Sequence, residues 1–154
     1  MPLAQFTRFI AVNNTGQTLT YNNNGRLNLK VTAWKWDTTN GDVVYTQLSD
    51  DDFGFGAGDS TVDGGEDKTS EIDNTSNEYV GLQVQLEVTH DEGAAADGTY
   101  DLYMDNGDAT GELASDASGY DDAETNKLRR VGELTWHASG ADDEVMRSEV
   151  FHIY

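Results

Sequence analysis

Polar and apolar residues alternate strictly over residues 79–89. Val80, Leu82, Val84, Leu86 and Val88 fall on one side, and Tyr79, Gln83, Gln85, Glu87 and Thr89 on the other. A helix would scatter the five aliphatic residues around its circumference, whereas a strand gathers them on one face. The run therefore reads as a half-buried antiparallel strand, with Leu102 and Leu134 expected in the same core. A slip of one residue would turn the whole set to water.

Residues 27–36 repeat the pattern. Leu27, Leu29, Val31 and Ala33 share a face, and Trp34 and Trp36 lie opposite with Lys30 and Thr32. Further strands are predicted at 7–12, 17–21, 43–48, 99–104, 128–136 and 145–153. About eight strands in one domain spanning 1–154 predict an all-β fold, a two-sheet antiparallel β-sandwich or jelly roll.

The punctuation agrees. Asn13-Asn14-Thr15-Gly16 reads as a tight turn, and Asn22-Asn23-Asn24-Gly25 ends in the Asn-Gly of a hairpin. Asn40-Gly41-Asp42 separates Trp36 from Val43, and Asp97-Gly98 precedes a strand at Thr99. The single proline, Pro2, interrupts no strand. Residues 49–76 and 105–126 read as long acidic connections, the first with a short strand near 60–63, the second with room for a helical turn at 114–123.

Charge changes the picture most. The chain carries 29 Asp and Glu against 9 Lys and Arg, a formal net charge of −20. Such a charge repels itself in dilute buffer, and molar salt, with a Debye length of roughly 3 Å, removes most of the repulsion. Acidity with only four lysines (Lys30, Lys35, Lys68, Lys127) suits a halophilic or marine origin. Direct binding to nucleic-acid phosphates needs clustered Lys and Arg and is not expected. No run approaches bilayer-spanning length, so membrane insertion is not expected either. The first residues lack the order of a signal peptide, which predicts synthesis without Sec export. The absence of cysteine excludes disulfides, zinc–thiolate sites and thiol catalysis.

Candidate chemistry is sparse. Asp105-Asn106-Gly107-Asp108 with Glu112 resembles a calcium loop but misses the EF-hand spacing. Asp50-Asp51-Asp52 and Asp121-Asp122 read as solvated charge, so no cofactor is expected, calcium being the one candidate. His90, His137 and His152 share no metal-ligand spacing. There is no G-x-S-x-G elbow and no phosphate-binding G-x-x-x-x-G-K loop. Gly54, Gly56 and Gly58 lie in an acidic segment that would repel phosphate. Catalytic, cofactor-binding and metal residues are thus all predicted to be none, and the chain is not expected to be an enzyme. Trp34, Trp36 and Tyr45 could form a sugar-stacking platform, a protein interface, or core if their sheet is covered on both faces. Phe53 and Phe55 share a face if locally extended, and the 49–76 connection that carries them is expected to make the intermolecular contacts; the alternatives are that both rings plug their own sandwich or that the contact lies at Trp34 and Trp36.

Three segments resemble small virion structural proteins of tailed viruses, whether of bacteria or haloarchaea. They are Phe9-Ile10-Ala11-Val12-Asn13-Asn14-Thr15-Gly16-Gln17-Thr18-Leu19, Asp73-Asn74-Thr75-Ser76-Asn77-Glu78-Tyr79-Val80 and Ala94-Ala95-Ala96-Asp97-Gly98-Thr99-Tyr100-Asp101-Leu102-Tyr103, the last as a hairpin. Together they cover about a quarter of the chain. The resemblance implies a coat-associated β-sandwich without catalytic residues, located in the virion and assembled in the host cytoplasm. Its implied partners are the major capsid protein or other virion proteins and copies of itself. A capsid decoration or turret protein, attached as a symmetric oligomer, is the leading expectation. The alternatives are a tail tube or tip component, for which no ring-to-ring hairpin is identified, and a carbohydrate-binding β-sandwich module.

Overall fold

The computed structural model describes residues 3–21, 26–48, 59–89, 97–107, 128–137 and 145–154. Among them are twelve strands and no helix: β1 (Phe6–Asn14), β2 (Leu19–Tyr21), β3 (Arg26–Asp37), β4 (Asp42–Gln47), β5 (Asp59–Thr61), β6 (Glu66–Lys68), β7 (Ile72–Asp73), β8 (Gly81–Thr89), β9 (Gly98–Gly107), β10 (Arg129–Trp136), β11 (Val145–Arg147) and β12 (Phe151–Ile153). Ten of them build two five-stranded antiparallel sheets, and β2 and β5 pair separately. One sheet runs β10-β9-β1 with β6 and β7 sharing the far edge of β1. The other runs β8-β3-β4 with β11 and β12 sharing the far edge of β8.

The sheets stack as a sandwich because each offers one apolar face. Leu27, Leu29, Val31 and Ala33 of β3 and Leu82, Val84, Leu86 and Val88 of β8 meet Phe9, Ala11, Tyr100, Leu102, Met104 and Leu134 of the other sheet in one core. The predicted face of β8 is fully buried from Leu82 onward, together with Leu102 and Leu134. Val80 is different: it precedes the strand and is only partly buried. Tyr79, expected to face water, is buried in the core. The chain breaks there, with Glu78 at φ 58°, and the Asn74 side chain both accepts from the Tyr79 N–H and donates to its carbonyl.

Local signals located strands better than their partners. Gly41, at φ 75°, closes a β3–β4 hairpin within the Asn40-Gly41-Asp42 separator. Among the described residues β2 and β3 do not pair with each other, since β2 pairs with β5 and β3 with β4 and β8, and the Asn22-Asn23-Asn24-Gly25 turn signal lies outside those residues. Nor do β8 and β9 form a hairpin, since they belong to opposite sheets. Residues 49–76 are more than a connection, for β6 and β7 extend the edge of β1. Residues 105–107 are the end of β9 rather than a ligand loop. Asp105 is buried opposite Arg8, and the Asn106 amide oxygen accepts from the Thr7 hydroxyl. The possible helical turn at 114–123 lies outside the described residues.

The predicted strand at 145–153 is split at Ser148. Its N–H donates to the Leu86 carbonyl and its Oγ accepts from the Leu86 N–H. Beyond it the register against β8 slips by one residue. That slip turns Phe151 and Ile153 toward the core and His152 outward. The Phe151 ring then closes the sandwich edge over Gly132, where any Cβ would overlap it.

Candidate functional site: an aromatic face on the second sheet

The outward face of β3 and β4 carries all three candidate aromatic residues, Trp34 and Trp36 from alternate positions of β3 and Tyr45 through its register against β3. Trp34 stands directly opposite Tyr45, and Trp36 opposite Val43. Trp36 and Tyr45 are each 58% exposed, whereas Trp34 is half-buried. With Trp36 and Tyr45 exposed, no described residue covers the outer face of the sheet at this end. The row continues across the sheet. Tyr154, 71% exposed, follows Ile153, which pairs with Leu82, while Trp34 pairs with Gly81. Gly81 is required here: a Cβ would stand 2.5 Å from Trp34 Nε1 and 2.5 Å from the Ile153 carbonyl oxygen. With that space open, Trp34 and Tyr154 meet edge to face at 6.0 Å, and His152 stacks on Tyr154 at 6.3 Å.

Trp34, Trp36 and Tyr45 are therefore brought together as one surface. Phe53 and Phe55 lie outside the described residues. Tyr154 and His152 were not foreseen. Their alternation with Phe151 and Ile153 is visible in the sequence, but the face they occupy depends on the slip after Ser148, which no local pattern announces.

Among the described side chains, charges border this surface without entering it. Asp37 and Asp42 face each other at the hairpin tip. The Asp37 carboxylate accepts from the Thr39 N–H and from the Asn40 side-chain and backbone N–H groups, which together hold it below the ordinary range. On the opposite side of β3, Lys35 donates to the Asn77 carbonyl at 2.9 Å and lies over the Tyr79 ring.

Farther along the same outward face, Glu87 accepts from Lys30 and Arg147, tying β3, β8 and β11 together. Burial pushes the Glu87 carboxyl up, but hydrogen bonds and charge from Lys30 and Arg147 outweigh it and leave it below its ordinary 4.5. A depressed carboxyl stabilises the fold above its unfolded value and loses that contribution as pH falls through the folded one. Glu87→Gln is expected to cost about 1 kcal/mol near neutrality, the upper end for such pairs, because Glu87 is mostly buried. Urea titrations of both proteins at successive pH values should show the gap closing only below about pH 4.5. A constant gap would mean the ion pairs do not hold the strands.

His137 Nδ1 lies 3.9 Å from Asp97 Oδ1 with both side chains largely exposed, which is a solvated pair rather than an oriented dyad. His90, Asp108, Glu112 and the acidic runs at 50–52 and 121–122 lie outside the described residues. Among the described residues no group of three or more His, Asp or Glu is placed to hold a metal, and no helix is long and apolar enough to cross a membrane. Phe9, Leu29, Val31, Leu48 and Ile72 line a narrow apolar cleft at one edge of the sandwich, beside Thr69, Ser70 and Glu71. What the aromatic face can do is bind: it offers flat apolar rings with polar tips on a rigid sheet. No protein-family model, curated protein or solved structure matches the chain.

Proposed function

We propose that the chain is a structural protein of a tailed-virus particle, a capsid decoration or turret protein that seats its aromatic face on the major capsid protein. The observation that carries the reading is the single surface of Trp34, Trp36, Tyr45 and Tyr154, exposed on a sandwich whose core is otherwise complete. The few residues that dominate a protein interface are enriched in tryptophan and tyrosine, and the contacts around them exclude water. The resemblance of the 9–19, 73–80 and 94–103 segments points to the same class. Antibodies against the recombinant chain should decorate particles purified from the producing culture. Trp36→Ser should weaken attachment by about 2 kcal/mol or more, the scale of an interfacial aromatic anchor. Purified particles that lack the chain would refute the proposal.

Two other readings rest on particular observations. The β3–β4 hairpin has both faces exposed from Trp36 to Tyr45, which is the element a ring-stacking tail component needs. Gold labelling confined to tails would select that location. The aromatic surface also meets the requirement for glycan stacking. A neutral glycan that retards the wild-type chain but not Trp36→Ala in affinity electrophoresis would favour a carbohydrate-binding module.

The acidity belongs to the same proposal, as adaptation to a salty habitat. At roughly 0.1 M salt the Debye length is about 10 Å and the −20 charge works against the fold; in molar salt it is screened. The melting temperature should therefore rise with salt over that interval. A flat profile would remove the halophilic part of the reading.

A further inference from the structure

Among the described residues β4 pairs with β3 alone. The direction of its remaining hydrogen-bonding groups follows from the ladder. The Leu48 N–H donates to the Val31 carbonyl, so Leu48, Thr46, Val44 and Asp42 turn their backbone groups toward β3. Val43, Tyr45 and Gln47 turn theirs away. The Trp34 carbonyl agrees with this phase, because it accepts from Val80 on the β8 side. Val43, Val44 and Tyr45 are all exposed, so nothing described covers this edge.

Open edges are normally blunted by charge, proline, a bulge or shortness. Apart from Asp42 at its start, β4 contains no charged residue and no proline, nor does Leu48 after it, and the pairing with β3 runs without a register shift. The other outer strands differ: β6 is Glu-Asp-Lys, β10 carries Arg129, Arg130 and Glu133, β11 ends on Arg147, and β12 is three residues long.

We infer that β4 pairs antiparallel with β4 of a second copy about a two-fold axis through Tyr45. The self-complementary register selects this occupant, and the local lack of carboxylates permits it. A basic partner would seek carboxylates, which residues 43–48 lack, whereas two chains of −20 can meet only where carboxylates do not oppose. The strand is self-complementary. With Tyr45 opposite the partner's Tyr45, Val43 faces the partner's Gln47, and every outward N–H and C=O of residues 43, 45 and 47 finds its mate. Asp42 faces the partner's Leu48 rather than a carboxylate. The two Asp42 groups stand about 20 Å apart, six residues at ~3.4 Å, well beyond the Debye length of ~8 Å at physiological salt. Paired residues in a ladder share a sheet face, so the row Tyr154, Trp34, Tyr45 continues into its mirror row across the axis. The aromatic face stays open to another partner. The pairing deepens the oligomeric part of the virion reading, and it is measurable on the isolated chain.

Sedimentation velocity of the full-length chain should show a dimer in molar salt that weakens toward roughly 0.1 M, as the Debye length grows. Gln47→Pro deletes an outward N–H and spares the bonds to β3, an edge position where proline is tolerated. It should weaken self-association at least tenfold with an unchanged circular dichroism spectrum. The natural chain has no cysteine, so single introduced thiols report the register. Tyr45→Cys should be joined to its copy by a short bis-maleimide. Val43→Cys, whose copies stand about 14 Å apart (four residues at ~3.4 Å), should not be joined by the same reagent. A chain monomeric at every salt and concentration overturns the inference. So does a folded Gln47→Pro that associates like wild type, or equal joining at positions 43 and 45. If Gln47→Pro does not fold, the thiol pair decides. A dimer missing from particles refutes only the virion reading, and a particle-bound monomer refutes only the pairing.

Discussion

Leu86→Ala is expected to cost about 3–5 kcal/mol, the upper part of the range for a buried leucine truncated to alanine. Leu86 is fully buried on β8, between β3 and the split strand, and opposite Leu29. The expectation sits high in the range because the site cannot collapse. Its backbone is held by Ser148 through both the Ser148 N–H and Oγ, while Leu29, Val84 and Val88 are fixed by their own ladders and packed in the same core. The cavity therefore persists, and its lining loses dispersion contacts outright. Against a total stability of about 5–15 kcal/mol for a domain, this is a large fraction. Urea unfolding at constant high salt should show a lower midpoint with an unchanged slope. A loss below about 1 kcal/mol would mean that the core at β8 is looser than the burial implies.

The second large effect is expected at Gly98. A Cβ there would overlap the Thr15 Cα and approach its Cβ at 2.8 Å. Backbone, unlike the end of a flexible side chain, yields only if the whole turn moves. That turn is tightly held. The Asn13 amide oxygen accepts from the Thr15 N–H and hydroxyl, and its Nδ2 donates to the Gln17 carbonyl. The Asn13 N–H donates to the Gly65 carbonyl, its carbonyl accepts from Gly64, and the Gly16 N–H donates to Asp63. Gly98→Ala should therefore cost about 3 kcal/mol, the top of the usual range for overpacking. Gly16→Ala is the comparison. Nothing lies within 4 Å of its Cβ, and only the positive φ of 75° is unfavourable. The cost there should be about 1–2 kcal/mol. Equal losses in thermal melts would show that the turn gives way around Gly98.

The Asn13-Asn14-Thr15-Gly16 turn also marks how far local reading goes. The turn chemistry is where the sequence puts it, with Gly16 supplying the positive φ. Yet the turn does not return β1 onto β2. It is clamped from outside by Gly64 and Gly65, residues distant in the chain. The strands that flank Asn22-Asn23-Asn24-Gly25 do not pair with each other for a related reason, the signal itself lying outside the described residues. A turn signal lowers the cost of reversing the chain, but the partner strand is chosen by whichever apolar face the sandwich can cover.

What the sequence determined by itself was the set of long strands and their faces. In β3 and β8 one side is aliphatic at every second position, and burial of that side admits a single register. The same alternation put Trp34 and Trp36 together on the side of β3 opposite its aliphatic residues, but only the β3–β4 register, with Tyr45 opposite Trp34, brought Tyr45 to that face. Tertiary structure decided what depends on distant residues: the crossing from β8 to β9 between sheets, and the recruitment of Glu66–Lys68 and Ile72–Asp73 to the edge of β1. It also decided the slip after Ser148 that turns Tyr154 toward Trp34. A two-residue period fixes which side of a strand is wet. Strand order and bulges are set by non-local ladders, whose energy appears only once the loops between them have closed.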